Sequence, residues 1–210
     1  MCFKWNGTFY IVLTVPYFNF MKKFFVLLAL VCTVLNVTAQ EDSKWSIKVG
    51  AGLSSIVGSD SEGNKSAFSY KVGVGYDFGI SEHFAIEPAL MLTNKSHKED
   101  LVDGTINRYY VELPIMAAFK IALSDETKLI INAGPYAAYG LYGSDIDWYD
   151  GGTDNVFDLF ERFEAGAQVG AKVAFGSLEF GAEYSRALTK IVSDYKGYSQ
   201  TIGLTFGYRF

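Results

Sequence analysis

The chain of 210 residues has few of the residues that build metal and catalytic centres. Its 2 cysteines, Cys2 and Cys32, both lie near the N-terminus, so neither a disulfide framework nor a cysteine-based metal site can be built from them. It has only 2 histidines and 4 prolines, and the HExxH, GxSxG and P-loop patterns are missing. The sequence therefore predicts no catalytic site, no metal and no cofactor.

Basic residues are also scarce, with 18 Lys and Arg against 23 Asp and Glu and a net charge of -5. Because they form no basic patch, the composition argues against nucleic acid as a partner. What the chain does have is apolar and aromatic: 50% of its residues are hydrophobic, with 17 Phe, 14 Tyr and 21 Gly. This excludes disorder across the chain and favours many short strands over helices.

The N-terminal part resembles a targeting segment. Lys22 and Lys23 precede an apolar run, Phe24 to Leu35, and the small residue Ala39 ends the segment. A basic start, a short apolar run and a small-residue cleavage site are typical of a secretory signal peptide. We expect a signal peptide over residues 21–39, a start at Met21 and a single domain over residues 40–210, so that residues 1–20 are an upstream extension added by an early start codon.

A membrane-spanning helix is the alternative interpretation of this segment. Pro16 and the pair Lys22-Lys23 interrupt the apolar stretch, and neither half reaches the ~18–20 residues that a spanning helix needs. Cys32 follows Val31 where a lipoprotein has a small residue, so lipidation is not expected either.

The rest of the chain alternates between apolar and polar residues with a period of two, which is typical of strands. In the last segment, for example, Ile202, Leu204 and Phe206 alternate with Gly203 and Thr205. Eight such segments can be placed, each about as long as the ~9–11 residues of a tilted membrane strand or slightly longer. They are 45–53, 68–78, 84–93, 108–120, 128–141, 163–175, 178–188 and 201–210.

The connections between these segments alternate between long and short. The long ones are 54–67, 94–107, 142–162 and 189–199, and the short ones are 79–83, 121–127 and 176–177. Transmembrane barrels have short periplasmic turns and long outer loops, with both termini on the turn side. The sequence therefore predicts an all-β, antiparallel, up-and-down transmembrane barrel of eight strands.

The two faces of the strands differ in polarity. One is apolar, with residues such as Val72, Leu113 and Phe206, and the other combines glycine with charge. We expect the apolar face to meet lipid and the charges to fill the interior in pairs; the alternative is a soluble, lipocalin-like barrel with an apolar pocket. The predicted interior charges are Lys48, Lys71, Asp77, Glu87, Glu112, Lys120, Lys128, Glu164, Lys172, Glu179, Glu183 and Arg209.

Aromatic residues near the strand ends fit the two girdles of a membrane barrel. They include Trp45, Phe68, Tyr109, Phe119 and Phe175. The prolines do not fit the pattern, because proline removes a ladder donor and a closed barrel has no edge strand to hold it. We therefore expect bulges or local breaks at Pro88, Pro114 and Pro135.

Over essentially all of residues 41–210 the chain resembles the Bacteroidetes outer-membrane β-barrel domain family, often called PorT-like, and more distantly the small OmpA/OmpX barrels. The residues that carry the resemblance are 110–114 (YVELP), 132–136 (NAGPY) and the final segment 203–210 (GLTFGYRF), with Ala39-Gln40 at the signal end. The resemblance implies a Gram-negative outer membrane with both termini periplasmic, surrounded by lipid. It also implies that Phe210 is read by the barrel-assembly machinery.

Candidate functional residues lie mainly in the long connections. The 142–162 connection combines acids with aromatics. The main candidates are Asp145, Asp147, Trp148, Tyr149, Asp150, Asp154 and Asp158, and the connection also contains Phe157, Phe160 and Glu161. Carboxylates of this density suit calcium, but the spacing does not match an EF-hand, so we favour a solvated acidic loop. The aromatics there should pack on the rim, enter the leaflet or meet a partner.

Histidine chemistry has little support in the sequence. His83 lies in a predicted short turn and His97 in a predicted long loop, so a shared metal site is not expected. Ser96, His97 and Asp100 could form a triad, but residues of one flexible loop are poorly positioned for that chemistry. We expect a monomeric structural or interaction protein with a plugged interior and an external protein or surface as its partner. The alternatives are a lipid-modifying enzyme acting at the rim and a soluble carrier of an apolar ligand.

Overall fold

The computed structural model describes residues 3–5, 8–10, 44–59, 64–99, 104–147, 153–192 and 196–210. The chain divides into two units, Met1–Ala39 and Gln40–Phe210. In the first unit, the short strands Phe3–Trp5 and Thr8–Tyr10 pair antiparallel. The predicted signal peptide, residues 21–39, lies outside the described residues. Within the described part, no helix has the length and apolar character needed to cross a bilayer.

The second unit is a closed barrel of eight antiparallel strands, which confirms the predicted architecture. Each strand pairs with its neighbours in sequence, and the last strand pairs with the first, so the wall has no free edge. The strands are β1 (Lys44–Gly58), β2 (Asn64–Gly79), β3 (Phe84–Glu99), β4 (Ile106–Ala122), β5 (Thr127–Gly143), β6 (Phe163–Phe175), β7 (Leu178–Ala187) and β8 (Gly197–Arg209).

Short and long connections lie at opposite ends of the barrel. The turn end carries residues 80–83, 123–126 and 176–177, and the loop end carries 59–63, 100–105, 144–162 and 188–196. In the tightest turn, Gly176 has a φ of +57°, a left-handed conformation that glycine adopts without strain.

The predicted lengths of two connections were wrong. Strands β1 to β4 continue past their predicted limits at the loop end, so connections 54–67 and 94–107 shrink to 59–63 and 100–105. The reason is that outward residues become polar there, as at Asn94, Ser96 and Lys98, which hides the apolar alternation without ending the strand. These strands have 15 to 17 residues, more than the ~9–11 needed to cross the hydrocarbon, so they extend beyond it.

The apolar face points outward and the charged face points inward. Leu204 is 71% exposed and Phe68 63%, whereas Glu87 on the opposite face is 2% exposed. A soluble carrier needs the reverse arrangement, so the lipocalin-like alternative is wrong. Two small apolar clusters lie near the ends of the barrel interior. They are Ala85, Ala118, Ile130 and Ala174 at the turn end and Ile106, Tyr110, Tyr136, Ala138, Val156 and Phe157 at the loop end.

Two aromatic girdles border the outer apolar band. At the turn end, Trp45 packs edge-on against Tyr76, with ring centroids 5.0 Å apart. At the loop end, Tyr109 stacks on Tyr142 at 4.4 Å. On β4 the two girdles are separated by the ten residues from Tyr109 to Phe119, about 24 Å along the membrane normal for a strand tilted by about 45°. That height matches the ~25 Å apolar band of outer-membrane barrels.

The three strand prolines interrupt the ladder along one line. Pro88 lies opposite Ile115 of β4, and Pro114 lies opposite Tyr136 of β5, next to Pro135. The three therefore lie side by side in β3, β4 and β5, along the direction of the interstrand hydrogen bonds. We call this line the proline crease.

Pairing lapses at the crease in three successive ladders but resumes in the same register on both sides. The expected local breaks are therefore present, because each proline lacks the N–H that its neighbour would accept. The expected bulges are not at the prolines. The register shifts lie instead between Ser66 and Tyr70 in β2 and between Tyr109 and Tyr110 in β4.

Candidate functional site

The turn-end half of the interior holds a continuous chain of ionic side chains of alternating sign. The Lys120 ammonium lies 2.8 Å from Asp77 Oδ2, and Arg209 Nε lies 3.1 Å from Glu179 Oε1. Lys172 Nζ then bridges Glu179 Oε2 at 3.0 Å and Glu87 Oε1 at 2.8 Å. In order, the side chains are Lys120, Asp77, Arg209, Glu179, Lys172, Glu87 and Lys48, with the weaker links Arg209–Asp77 and Lys48–Glu87 both at 3.7 Å.

This alternation explains how so many charges are tolerated in one interior. Each carboxylate of the chain touches two cations, so the loss of hydration is offset by attraction on both sides. The partners include strands that are not neighbours in the sheet, β3 with β6 and β2 with β4. The chain therefore links non-adjacent strands across the interior.

Two cavities remain at mid-height. The larger, about 60 Å³, has charged residues on one side and Met91, Pro114 and Met116 on the other. The smaller, about 20 Å³, adjoins the ion pair between Lys71 and Glu183. A water molecule needs about 10–15 Å³ by the same kind of measure, so the larger space suits a few waters and the smaller one a single water.

A second ionic group lies towards the loop end, centred on Lys95. Its ammonium contacts Glu164 Oε1 at 2.5 Å and Glu112 Oε2 at 2.9 Å. The Tyr136 hydroxyl donates to the same Glu164 oxygen at 2.8 Å, and the Tyr136 ring lies 4.6 Å beneath the ammonium. Lys95 is thus a buried cation held between two carboxylates and an aromatic face.

Arg108 occupies the next layer and is completely buried. Its Nη1 donates to the Tyr110 hydroxyl at 3.2 Å and its Nη2 to Ser199 Oγ at 3.3 Å. Among the described residues, no carboxylate lies within ion-pair distance of this guanidinium, and its Nε has no acceptor. His97 is equally buried beside it, and neither ring nitrogen has a hydrogen-bond partner in the described part of the chain.

A one-turn helix, α1 (Val156–Leu159), closes the barrel above this layer. Asn155 caps it, since its Oδ1 accepts the Phe157 N–H at 3.1 Å. Val156 and Phe157 are buried against Gly143 and Gly140 of β5, where a Cβ would overlap their side chains. The two glycines are therefore sockets for α1, and α1 acts as a plug.

Flanking contacts hold the plug in place. The Arg162 guanidinium lies 4.8 Å from the Phe157 ring and donates to the Gly140 carbonyl at 3.2 Å. Phe160 packs against the loop-end cluster, with its ring 5.2 Å from the Arg108 guanidinium. The sequence suggested that these aromatics pack on the rim, enter the leaflet or meet a partner; Phe157 and Phe160 pack into the barrel itself.

The structure brings the predicted interior charges together inside one barrel. Nine of them lie in the two ionic groups: Lys48, Asp77, Glu87, Glu112, Lys120, Glu164, Lys172, Glu179 and Arg209. Lys71 and Glu183 form a separate pair, and Lys128 is half-buried near the turn end of β5. Sequence reasoning missed two interior cations. Lys95 shares the parity of Met91 but lies beyond the predicted end of its strand, and Arg108 shares the parity of Tyr110 at the first position of the predicted segment 108–120.

The remaining predicted residues are dispersed. Phe210 follows β8, and its N–H donates to the Trp45 carbonyl at 3.0 Å where the ends of the sheet meet. Trp148, Tyr149 and Asp150 lie outside the described residues. Asp145 and Asp147 belong to a short strand that pairs with Thr153–Asn155, which contains Asp154, and Asp158 is exposed on α1. Among the described residues, no group of three or more acids, histidines or cysteines is placed to hold a metal.

The expectation that His97 lies in a flexible loop was wrong. His97 and Ser96 are adjacent in β3, so their side chains point to opposite faces of the wall. His97 points inward, and the outward Ser96 Oγ lies within 2.8 Å of Asn94 Oδ1 and 2.7 Å of Asn107 Oδ1. The two residues cannot form a nucleophile–base pair, and Asp100 lies outside the described residues.

Comparison with known proteins identifies the barrel type. The structure of Neisserial surface protein A aligns with a TM-score of 0.53 at 14% identity, covering 81% of this chain and 100% of that one. The outer membrane enzyme PagL aligns with a TM-score of 0.51 at 12% identity, covering 78% and 98%. At these identities the likeness shows the fold alone. A comparison with curated sequences finds no match.

The family model supplies the remaining evidence. Residues 24–210 match the model described as outer membrane protein beta-barrel domain, which is most of the chain. The outward apolar band, the girdles and the ionic interior described above agree with that match. The chain therefore belongs to the family of outer-membrane β-barrel proteins.

Proposed function

We propose that this protein is a non-conducting outer-membrane barrel that acts by interaction at its loop end. The observation that carries this proposal is the filling of the interior. An alternating ionic chain occupies the turn-end half, a second ionic group lies above it, and α1 closes the mouth. Interior cavities of about 60 Å³ and 20 Å³ suit a few waters at most and not a transported solute.

The orientation and route of export belong to the same proposal. Both termini face the periplasm, the loop end faces the exterior, and residues 21–39 direct export before cleavage after Ala39. The barrel-assembly machinery reads Phe210, and the mature protein is a monomer of the PorT-like branch. The short turns and the longer connections at opposite ends support this orientation.

Planar-bilayer recordings test the absence of conduction. The full chain, folded and reconstituted, should give no large stable single-channel currents. The reason is that the ionic side chains and α1 fill the interior and leave no continuous water column. Migration on gels with and without boiling verifies that the reconstituted protein is folded. Stable currents from a folded sample would overturn the proposal.

Cross-linking on intact cells tests interaction at the loop end. The wild-type chain is compared with a variant in which residues 148–152 are replaced by Gly and Ser, and with a control variant changed in the same way at residues 188–190. External proteins should be captured by the wild type and the control and lost from the 148–152 variant. Equal capture by all three would contradict a role for the 144–162 connection.

A further inference from the structure

The ionic chain of the turn-end half begins and ends with a cation. Its seven side chains are four cations and three carboxylates, in the order Lys120, Asp77, Arg209, Glu179, Lys172, Glu87 and Lys48. The neighbouring pair of Lys71 and Glu183 is neutral as a whole. As far as the described residues form it, the ionic chain therefore carries one positive charge more than its carboxylates balance.

The surplus charge lies at the Lys48 end. At the other end, the Lys120 ammonium lies 3.0 Å and 2.8 Å from the two oxygens of Asp77. In the described part of the chain, the Lys48 ammonium has one carboxylate within ion-pair distance, Glu87 Oε2 at 3.7 Å, which is too far for a hydrogen bond. Glu87 already accepts two hydrogen bonds from Lys172, at 2.8 Å and 2.9 Å. Lys48 is therefore the loosely held cation of the ionic chain.

Glycine leaves open space beside Lys48. In the register of the sheet, Lys48 lies between Gly73 of β2 and Gly207 of β8, and neither neighbour has a side chain to cover the ammonium. The cavity of about 60 Å³ lies here, since Lys48 and Gly207 line it together with Met91 and Met116. A methionine thioether is only a weak hydrogen-bond acceptor, so these two side chains do not balance the charge of the ammonium.

The carboxylates that line the same cavity already have cations of their own. Glu183 forms an ion pair with Lys71, and Glu179 Oε2 lies 3.0 Å from the Lys172 ammonium. Their charges are therefore largely balanced before anything enters the cavity. A negative ion beside Lys48 would meet paired carboxylates and one cation that lacks a close partner.

We propose that the cavity beside Lys48 binds one halide ion, such as chloride, as the counterion of the ionic chain. An ordinary lysine is protonated at neutral pH, and a charge inside a protein needs a compensating partner. One monovalent anion balances the surplus charge, whereas a divalent anion would reverse the imbalance. A space of about 60 Å³ has room for a monatomic ion with bound water and excludes an organic anion such as gluconate. The inference concerns the interior alone and does not depend on interaction at the loop end.

The dependence of folding on chloride tests the site in solution. Unfolding of the full chain by urea in lipid vesicles is measured in mixtures of sodium chloride and sodium gluconate at constant ionic strength. An ion that binds only the folded state should raise the folding equilibrium constant about tenfold for each tenfold increase in chloride above its dissociation constant. A wild-type equilibrium constant that is independent of chloride would overturn the proposal and would mean that Lys48 is neutral or solvated by water alone.

Two lysine variants locate the site. Lys48→Met should abolish the dependence on chloride, because it leaves the ionic chain with three cations and three carboxylates. The control Lys44→Met, at an exposed position of the same strand, should retain the dependence in full. Heat-modifiable migration verifies that each variant is folded, and Lys48→Gln replaces Lys48→Met if the latter does not fold. Equal chloride dependence in the Lys48 variant and the wild type would overturn the proposal.

Diffraction from crystals of the wild-type chain grown in sodium bromide shows the ion directly. Bromide should replace chloride, and its anomalous signal should lie in the cavity in contact with Lys48 Nζ. Water alone in the cavity would overturn the proposal. A bromide peak in a protein whose folding does not depend on chloride would mean an adventitious ion only, and would overturn it as well.

Discussion

Replacing Lys172 by methionine should destabilise the barrel through the two carboxylates that it leaves behind. The Lys172 ammonium lies 2.8 Å from Glu87 and 3.0 Å from Glu179, both nearly buried. Glu87 would keep Lys48 at 3.7 Å, and Glu179 would keep Arg209 at 3.1 Å. Removing one partner of a buried ion pair costs about 3–5 kcal/mol, and the remaining cations place Lys172→Met at the lower end, about 3 kcal/mol.

Urea titration in lipid vesicles, followed by tryptophan fluorescence, measures this change in the free energy of unfolding. Lys190→Met, at an exposed position, is the matched control and should stay within about 0.5 kcal/mol of wild type. A third variant combines Lys172→Met with Glu179→Gln, which removes one charge of each sign. It should recover much of the loss, since Glu87 keeps Lys48 and Arg209 keeps Asp77, both at 3.7 Å.

The reasoning would be refuted by either of two results. One is a Lys172→Met barrel within about 1 kcal/mol of wild type, which would mean that the interior is hydrated well enough to screen its charges. The other is a Lys172→Met/Glu179→Gln variant less stable than the single one, which would mean that packing, and not unpaired charge, causes the loss.

Three further variants test the plug, the buried cation and the C-terminus. Gly143→Ala should displace α1 and expose the 144–162 connection to protease, at a cost of about 1–3 kcal/mol, whereas Gly207→Ala, with 3.3 Å to its nearest neighbour, should leave it protected. Arg108→Met should lower the free energy of unfolding in urea by about 1–3 kcal/mol, because it leaves the buried Tyr110 and Ser199 hydroxyls without their partner and Lys95 alone against two carboxylates; an unchanged or increased value would contradict this. Phe210→Ala should lower the folded fraction in cell membranes while refolding in detergent is unchanged, and equal defects in both assays would exclude an assembly signal.

The strands of the barrel wall could be predicted from the sequence because the alternation of polar and apolar residues depends only on neighbouring positions. Alternation along each strand assigns inward and outward faces, so parity alone places Glu87 and Lys172 on the same, inward face. The strand ends could not be found in this way, because Asn94, Ser96 and Lys98 are polar and outward beyond the membrane. Lys95 was missed for this reason, although its parity is that of Met91.

The plug could not be predicted because it depends on contacts between distant residues. Nothing in the run Val156–Leu159 distinguishes a plug from a solvated loop. Its position depends on Gly140 and Gly143, which lie on another strand and whose lack of side chains makes the sockets. The partners within the ionic chain depend likewise on the register across the barrel, which the alternation leaves open.

The proline crease gives the wall two kinds of mechanical behaviour. From β6 through β8 to β1 the ladders run without interruption, so that side resists bending. Across β3, β4 and β5 the missing bonds lie in one row, and the sheet can flex there without breaking any others. When the surrounding bilayer thins or curves, the sheet will bend mainly at β3, β4 and β5, while the opposite half of the barrel keeps its shape.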